Sequence, residues 1–231
     1  MVCRCLSLLV VAPYLCTIVS SIIMNWIQHP VILEGDRVRL IPLDHSHIDE
    51  LANVAADERI WEHMSVNCAE RSKIEQHLKS AILKRATGEQ YPFTVVDKAT
   101  GKLIGSTFYH NIVPEHKKLE IGWTWYAPLY WRTGYNRECK LAMLTHCFET
   151  LKTIRVQLIT DINNRRSYNA ILGIGASLEG VLRNERIRAN GEYRNSAMFS
   201  IISSEWEVVK EGLVRGILES NTNANHSNGI S

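Results

Sequence analysis

The sequence has few of the residues that mark unusual chain types. It contains only 6 Pro and 13 Gly among 231 residues, and its 26 Lys and Arg nearly balance 24 Asp and Glu, for a net charge of +2. Collagen, repeat arrays and disorder throughout the chain each need a compositional bias that is missing here. A nucleic-acid binder normally shows a basic excess, so nucleic acid is not expected as a partner. The hydrophobic content of 45% predicts a buried core, and the length fits one main domain.

The cysteines form no CxxC pair. Three lie in the first sixteen residues and three are scattered through the body: Cys3, Cys5, Cys16, Cys68, Cys139 and Cys147. Neither a disulfide framework nor a structural metal site has the required spacing, so no metal is expected. Unpaired body cysteines suit a reducing compartment, which predicts a cytoplasmic location.

Both ends of the chain differ from the body. The run Leu6–Met24 contains no charged side chain and is long enough to span a bilayer. Residues 1–26 are therefore predicted to form a hydrophobic segment. It is either a membrane anchor, with membrane contact through residues 6–24, or a secretory signal, or an upstream extension absent from the expressed protein. Residues 219–231, rich in Asn and Ser, are predicted to form a disordered polar tail, which leaves one domain at 31–218.

The first half of the body predicts an antiparallel meander with two early helices. Capping-box patterns, Ser46 with Asp49 and Asn67 with Glu70, predict the helix starts. Gly101 is suited to a hairpin turn between two of the strands. The predicted strands cover residues 36–43, 91–97, 102–110 and 117–126.

The second half predicts a crossover unit followed by a hairpin. A helix after Gly134, a strand over 154–161 and a short helix around Ile171 come first. A hairpin then turns at Asn190-Gly191, between strands over 176–188 and 194–202, and a helix over 204–218 closes the domain. The whole is an α+β fold, with a mixed, mostly antiparallel twisted sheet and helices on both faces.

The segment around Gly134 leads from a strand through a turn into an amphipathic helix. Backbone N–H groups at a helix start are unpaired and the helix dipole is positive there, so this segment predicts an anion site. An ordinary helix start is the alternative, because one glycine in a loop is a weak signal.

Three motifs together resemble the GNAT superfamily of acetyl-CoA-dependent N-acetyltransferases, in the branch similar to ribosomal-protein alanine N-acetyltransferases. They are EIGW at 120–123, TGYNRECK at 133–140 and TDINNRRS at 160–167, and the likeness extends from about Val31 to Trp206. The resemblance implies a GNAT-like acyl-CoA N-acyltransferase fold. It also implies acetyl-CoA as cosubstrate and a primary amine acceptor, either a small molecule or a peptide N-terminus.

The same resemblance assigns the cofactor-binding residues. The loop that would cradle the pyrophosphate of CoA comprises Trp131, Arg132, Thr133, Gly134, Tyr135 and Asn136, and Asn164 would bond the pantetheine amides. Trp131 departs from the Gln or Arg of the superfamily pattern, which predicts weaker phosphate contact, with Arg132 as a substitute donor. Gly173 is a second departure and is expected to loosen the end of its helix.

The resemblance also suggests the catalytic groups. Ser167 would lie near the sulfur and protonate the leaving thiolate, with Tyr168 as the rival donor, and Glu120 would accept the amine proton through water. His110 is a further candidate base, whereas Trp123 and Trp125 are expected on the opposite strand face, in the core. Two other functions stay open, a catalytically silent acyl-CoA-binding module and a membrane-tethered interaction protein.

Overall fold

The structure is a computed structural model that describes residues 26–188 and 190–227. The run Leu6–Met24, and with it the predicted anchor, lies outside these residues. Within the described ranges, no helix combines the length and the apolar character that crossing a bilayer requires.

The first elements are two short strands and two helices. They are β1 (Leu33–Glu34), β2 (Val38–Pro42), α1 (Ile48–Ala55) and α2 (Arg71–Ala86). α1 buries the apolar stripe that its sequence predicts. β1 covers only Arg39 and Leu40 of β2, so Pro42, which has no N–H to donate, lies beyond it on a free edge.

The predicted caps of these helices are wrong in detail. The capping residue is Asp44 and not Ser46. The Asp44 side chain accepts the Ser46 N–H and forms a capping box with His47, at a short turn before α1. The Asn67 side chain accepts the N–H of Ala69, while Glu70, the N-cap residue that precedes α2, makes no side-chain cap. Asp and Asn compete for nearby N–H groups over two or three residues, so a four-residue pattern alone does not fix the cap.

The central strands form the predicted meander. They are β3 (Gln90–Asp97), β4 (Leu103–Val113) and β5 (Lys118–Tyr126). The turn between β3 and β4 contains Gly101 at φ +72°, a conformation that glycine adopts without a steric cost.

The crossover unit and the last hairpin follow in the predicted order. The elements are α3 (Tyr135–Thr145), which continues into a π-helical turn (His146–Thr150), then β6 (Arg155–Asp161), α4 (Arg165–Leu172), β7 (Ser177–Ile187), β8 (Tyr193–Ile202) and α5 (Trp206–Ser227). The last helix, α5, extends to Ser227 and so includes part of the segment 219–231 that the sequence analysis assigns to a polar tail.

The eight strands form one sheet in the order β1-β2-β3-β4-β5-β6-β8-β7. Among the strands of the described residues, only β5 and β6 pair in parallel, and every other neighbouring pair is antiparallel. One face carries a core that includes buried residues of α3, α4 and α5, and the other carries the core of α1 and α2. The predicted mixed sheet with helices on both faces is confirmed.

A β-bulge in β5 changes which side chains share a face. Gly122 pairs with Phe108 and Trp125 with Ser106, so two residues of β5, 123 and 124, oppose one residue of β4. Trp123 has φ +50° and packs with Trp125 against the core of α1 and α2, which is the face of Phe108. The prediction that these tryptophans lie on the face opposite Glu120 is therefore wrong, because the bulge interrupts the alternation that the sequence implied.

Candidate active site

The two parallel strands diverge. They pair only where Lys118, Leu119 and Glu120 face the first three residues of β6. Beyond that point, the rest of β5 and β6 lines a cavity of about 570 Å³. The cavity is also lined by the loop before α3, by the start of α4 and by residues of the β7–β8 hairpin. The site therefore occupies the only place in the sheet, within the described residues, where two neighbouring strands separate after a parallel start.

The loop before α3 presents unpaired backbone donors. Gly134 has φ +90° and Arg132 has φ +60°, and these left-handed residues turn the chain sharply into the helix. Within the described part of the chain, the N–H groups of residues 132–136 make no hydrogen bond, and the first helical bonds run from Arg137 and Glu138 to the Gly134 carbonyl. Free N–H groups at the positive end of a helix dipole suit an anion such as a pyrophosphate.

Trp131 fixes the start of this loop. Its indole N–H donates to the Tyr126 carbonyl at 3.0 Å. The guanidinium of Arg166, on α4, lies over the Trp131 ring at 3.7 Å from its centroid. Arg132, in the loop, and Arg166, in the first turn of α4, both line the cavity. They bring two cations to the part of the cavity next to Trp131.

Two of the predicted loop residues direct their side chains elsewhere. Thr133 donates its hydroxyl to the Tyr130 carbonyl, and the Tyr135 hydroxyl donates to Asp97. Neither side chain lines the cavity, whereas Trp131, Arg132, Gly134 and Asn136 do.

An ion pair between Arg37, the residue before β2, and the buried Glu138 supports the loop. The Arg37 guanidinium donates to the Glu138 carboxylate and to the Thr133 carbonyl, and it lies over the ring of Tyr135. Glu138 is only 3% exposed and also accepts the Arg37 backbone N–H. Arg37 therefore joins the start of β2 both to the loop, at Thr133, and to the first turn of α3, at Glu138.

Arg37→Met is expected to lower the free energy of unfolding by about 3 kcal/mol, because it leaves the buried Glu138 carboxylate without its cation. Urea unfolding of the full chain measures this change. The double variant Arg37→Met with Glu138→Met is the control and should recover much of the loss, since no charge then stays buried. An Arg37→Met protein as stable as the wild type would show that the pair does not hold the loop.

The start of α4 carries three of the predicted residues. Asn164 lines the cavity, and its side-chain oxygen caps α4 by accepting the Ser167 N–H at 3.0 Å, which leaves the amide NH₂ free to donate. Ser167 also lines the cavity, and its hydroxyl makes no hydrogen bond within the described residues. Tyr168 does not line it, because its ring packs edge-on against Phe199 in the core. The structure thus brings Ser167 to the cavity and keeps Tyr168 away from it.

Glu120 lies where β5 and β6 begin to diverge. It is 3% exposed, and one of its oxygens accepts hydrogen bonds from the side-chain amides of Asn111 and Gln157 at 2.8 and 3.1 Å. The other oxygen lies 3.3 Å from Nε2 of His110, without a hydrogen bond between them. Gly122 permits this contact, since a Cβ there would lie 2.2 Å from the His110 Nε2 atom. Glu120 and His110 therefore form a buried pair at one side of the cavity.

Burial is the main reason that the pKa of His110 is lowered, and the charges of Arg186 and Lys140 lower it further against the opposing effect of Glu120. A lowered pKa keeps the imidazole neutral at pH 7.

Lys140 is a cavity residue that the sequence did not indicate. It lies on α3, is 5% exposed, and donates to the Thr124 hydroxyl at 2.8 Å. Burial lowers its pKa to about 8. Thr124 and Thr107 also bond each other at 2.7 Å, so both hydroxyls would keep a partner without the lysine.

Lys140→Met is expected to raise the stability near pH 7 by about 3 kcal/mol, because a pKa lowered from 10.5 to about 8 costs 1.36 kcal/mol per unit while the lysine is charged. Below pH 8 both folded and unfolded chains carry the proton, and the folded state bears the full cost. Between pH 8 and 10.5 only the unfolded chain keeps it, so wild-type stability rises with pH and the gap narrows. Urea unfolding over this range tests the prediction, and a gap that does not change with pH would contradict it.

Residues 37–177 match the acetyltransferase (GNAT) domain, and the chain belongs to this family. An N-acetyltransferase of Bacillus subtilis, YoaA, is 24% identical over 176 residues, which cover 74% of this chain and 96% of that protein. The crystal structure of a GCN5-related N-acetyltransferase from Brucella melitensis has a TM-score of 0.75 and 28% identity, covering 82% of this chain and 86% of the other. Mycobacterium smegmatis RimJ, solved with CoA-disulfide, has a TM-score of 0.71 at 18% identity and covers 81% of this chain and 95% of its own, which shows a shared fold.

The family and the fold that the motifs predicted are thus confirmed, and the protein is an N-acetyltransferase. GNAT enzymes take their acetyl group from acetyl-CoA, which fits a cavity with free amides at a helix start. The described residues contain no group of three or more His, Cys, Asp or Glu side chains arranged to hold a metal ion.

Proposed function

We propose that the protein transfers the acetyl group of acetyl-CoA to a primary amine by direct attack within a ternary complex. The observation that carries this proposal is that one cavity of about 570 Å³ is lined both by the start of α3 and by the Glu120–His110 pair. Direct transfer needs an anchored thioester and a proton acceptor that reach the same space, and this cavity offers both.

The anchoring role is proposed for the loop and for the start of α4. The free N–H groups of residues 132–136 would hold the pyrophosphate, with Arg132 and Arg166 adding positive charge. Trp131 would act by fixing the loop to β5, since its indole N–H is already bonded there. Asn164 would donate its free amide NH₂ to the pantetheine while its oxygen continues to cap α4.

The proton chemistry is proposed for Glu120 and Ser167. Glu120 would accept the proton of the acceptor amine through water, because its oxygens are held by two amide donors at the side of the cavity. The neutral His110 beside it would share that proton. Ser167 would give a proton to the leaving thiolate, since its hydroxyl lines the cavity and has no other partner among the described residues.

The acceptor is proposed to be a peptide N-terminus or a small-molecule amine. The similarity of the motifs to those of ribosomal-protein alanine N-acetyltransferases favours a peptide N-terminus. The cavity supports either, because it is lined in part by the segment between α1 and α2 and by the β7–β8 hairpin.

Acetyl-CoA consumption by the full chain, measured with peptide N-termini, polyamines and aminoglycosides, tests the proposal. Release of CoA with at least one amine is expected, with double-reciprocal plots that intersect as a ternary complex requires. Parallel plots would indicate an acetyl-enzyme and contradict direct attack. Tight acetyl-CoA binding without release in the presence of any amine would instead make the protein a binding module.

We also propose that residues 31–218 form the acetyltransferase domain and that it works in the cytosol. Cys68, Cys139 and Cys147 are buried and free, which suits a reducing compartment, and acetyl-CoA is chiefly an intracellular metabolite. A reporter fused to the C-terminus should fractionate with the cell interior. Recovery from the medium would contradict this location.

A further inference from the structure

Two arginines of the last hairpin lie directly opposite each other. Arg186 on β7 and Arg194 on β8 are paired in the antiparallel register. Like charges at directly opposite positions destabilise a strand pair. Arg194 is only 7% exposed, whereas the Arg186 side chain is 37% exposed, so water screens the repulsion only from the side of Arg186. Strand stability therefore does not explain this pair.

Arg194 has few partners for a buried cation. One of its terminal nitrogens donates to the Ser65 hydroxyl at 2.9 Å, while its Nε has no hydrogen-bond partner. It makes no ion pair with any other residue that the structure describes. Burial, and then the charge of Arg186, lower the pKa of Arg194. A buried guanidinium without an ion pair costs free energy unless an anion binds to it.

The nearby carboxylates are already engaged. Asp161 is bound by the guanidinium of Arg188 through two hydrogen bonds. Glu185 pairs with the Arg186 Nε and accepts the Ser196 hydroxyl. In the described part of the chain, Glu185 is thus the one carboxylate available to Arg186 and Arg194 together, and a net positive charge remains at this arginine pair.

Both arginines line the cavity that contains Glu120. The charge of Arg186 lowers the pKa of His110. The Arg186 guanidinium therefore acts electrostatically on the Glu120–His110 pair. The Ser65 hydroxyl that Arg194 contacts belongs to the segment between α1 and α2, which lines the same cavity. The excess charge therefore faces the part of the cavity where the acceptor amine would be deprotonated.

We propose that Arg186 and Arg194 bind an oxyanion carried by the acceptor, so that the substrate is a primary amine that also bears a carboxylate or phosphate. This inference rests on the proposed function, since it assigns the acceptor side of the same cavity. Guanidinium forks match both oxyanions, and the incoming anion would supply an acceptor for the unsatisfied Nε of Arg194.

Binding of a simple anion tests the proposal without turnover. The full chain, saturated with CoA, is titrated with succinate, with inorganic phosphate and with uncharged succinamide. Intrinsic fluorescence is a suitable signal because Trp123, Trp125 and Trp131 line the cavity. Succinate or phosphate should bind, and succinamide should not. The anion that binds with the higher affinity identifies the group that the acceptor carries.

Arg186→Gln should lower the affinity for that anion by about tenfold or more, as expected for the loss of a hydrogen bond to a charged group. Arg194→Gln should weaken it at least as much, and Arg186→Gln keeps the test decisive if the more buried Arg194→Gln protein fails to fold. Arg183→Gln is the matched control, because Arg183 is exposed on the same strand and outside the cavity, and its anion affinity should match the wild type.

Two outcomes would overturn the anion site. One is absence of succinate and phosphate binding to the CoA-saturated protein. The other is an unchanged anion affinity in Arg186→Gln together with a loss of CoA affinity, which would place a CoA phosphate at the pair. Failure of the proposed function looks different, since the protein would then bind these anions and CoA yet acetylate no amine.

Discussion

Gly134→Glu is expected to abolish acetyl-CoA binding in a protein that still folds. The new carboxylate would stand at the start of α3, where the free N–H groups of residues 132–136 and the positive end of the helix dipole are proposed to hold the pyrophosphate. It would repel the phosphates and occupy part of their space. Isothermal titration of the full chain with acetyl-CoA measures the effect directly.

The control is Gly134→Ala, because any side chain at position 134 meets two steric problems. The residue has φ +90°, and a Cβ there would lie 2.7 Å from Nη2 of Arg37, the far end of a flexible side chain. Gly134→Ala carries this strain without the charge, so it should weaken acetyl-CoA binding only in part. Unchanged affinity in a folded Gly134→Glu protein would remove the pyrophosphate site from this loop.

Most of the sheet could be predicted because its signals are local. Gly101 and Gly191 mark two hairpin turns, and both adopt a positive φ in the structure. The crossover between β5 and β6 follows from a strand, a helix start at Gly134 and a second strand. Such features depend on residues that are close together in the sequence, so the period of the hydrophobic pattern and the residues typical of turns are sufficient to find them.

The features that the sequence did not predict depend on pairing between distant segments. The bulge at Trp123 exists only relative to the register of β4, so alternation within β5 alone gave the wrong face for two tryptophans. Likewise, Arg186 and Arg194 become neighbours only through the β7–β8 register, which contains a shift between Leu182 and Arg186. No spacing along the chain reveals that contact.

The candidate site was predicted in part for the same reason. Gly134 could be identified because a helix start is a local feature. Lys140 was missed because it falls within the α3 sequence among apolar residues, and only packing shows that its amine points at Thr124. Ser167 and Tyr168 are adjacent in the sequence, which does not show which of them is the proton donor. Their separation required the structure, which turns one to the cavity and the other to Phe199.

Ser167→Ala is expected to lower kcat by about 10²-fold while acetyl-CoA affinity stays near that of the wild type, since loss of a general acid removes an interaction made in the transition state. Steady-state kinetics with any acceptor found in the screen gives kcat, and titration gives the affinity. The change removes a single oxygen from a half-buried side chain, and the backbone N–H of residue 167 still donates to Asn164, so α4 should keep its cap.

Tyr168→Phe is the matched control, because it also removes one hydroxyl from the adjacent residue and leaves the edge-on contact with Phe199 intact. Its kcat should stay within about twofold of the wild type, as expected for a group that takes no part in proton transfer. The reverse pattern, a damaged Tyr168→Phe and a normal Ser167→Ala, would assign the proton donor to Tyr168. It would also require α4 to turn that hydroxyl toward the cavity during the reaction, since in the structure the Tyr168 ring packs in the core.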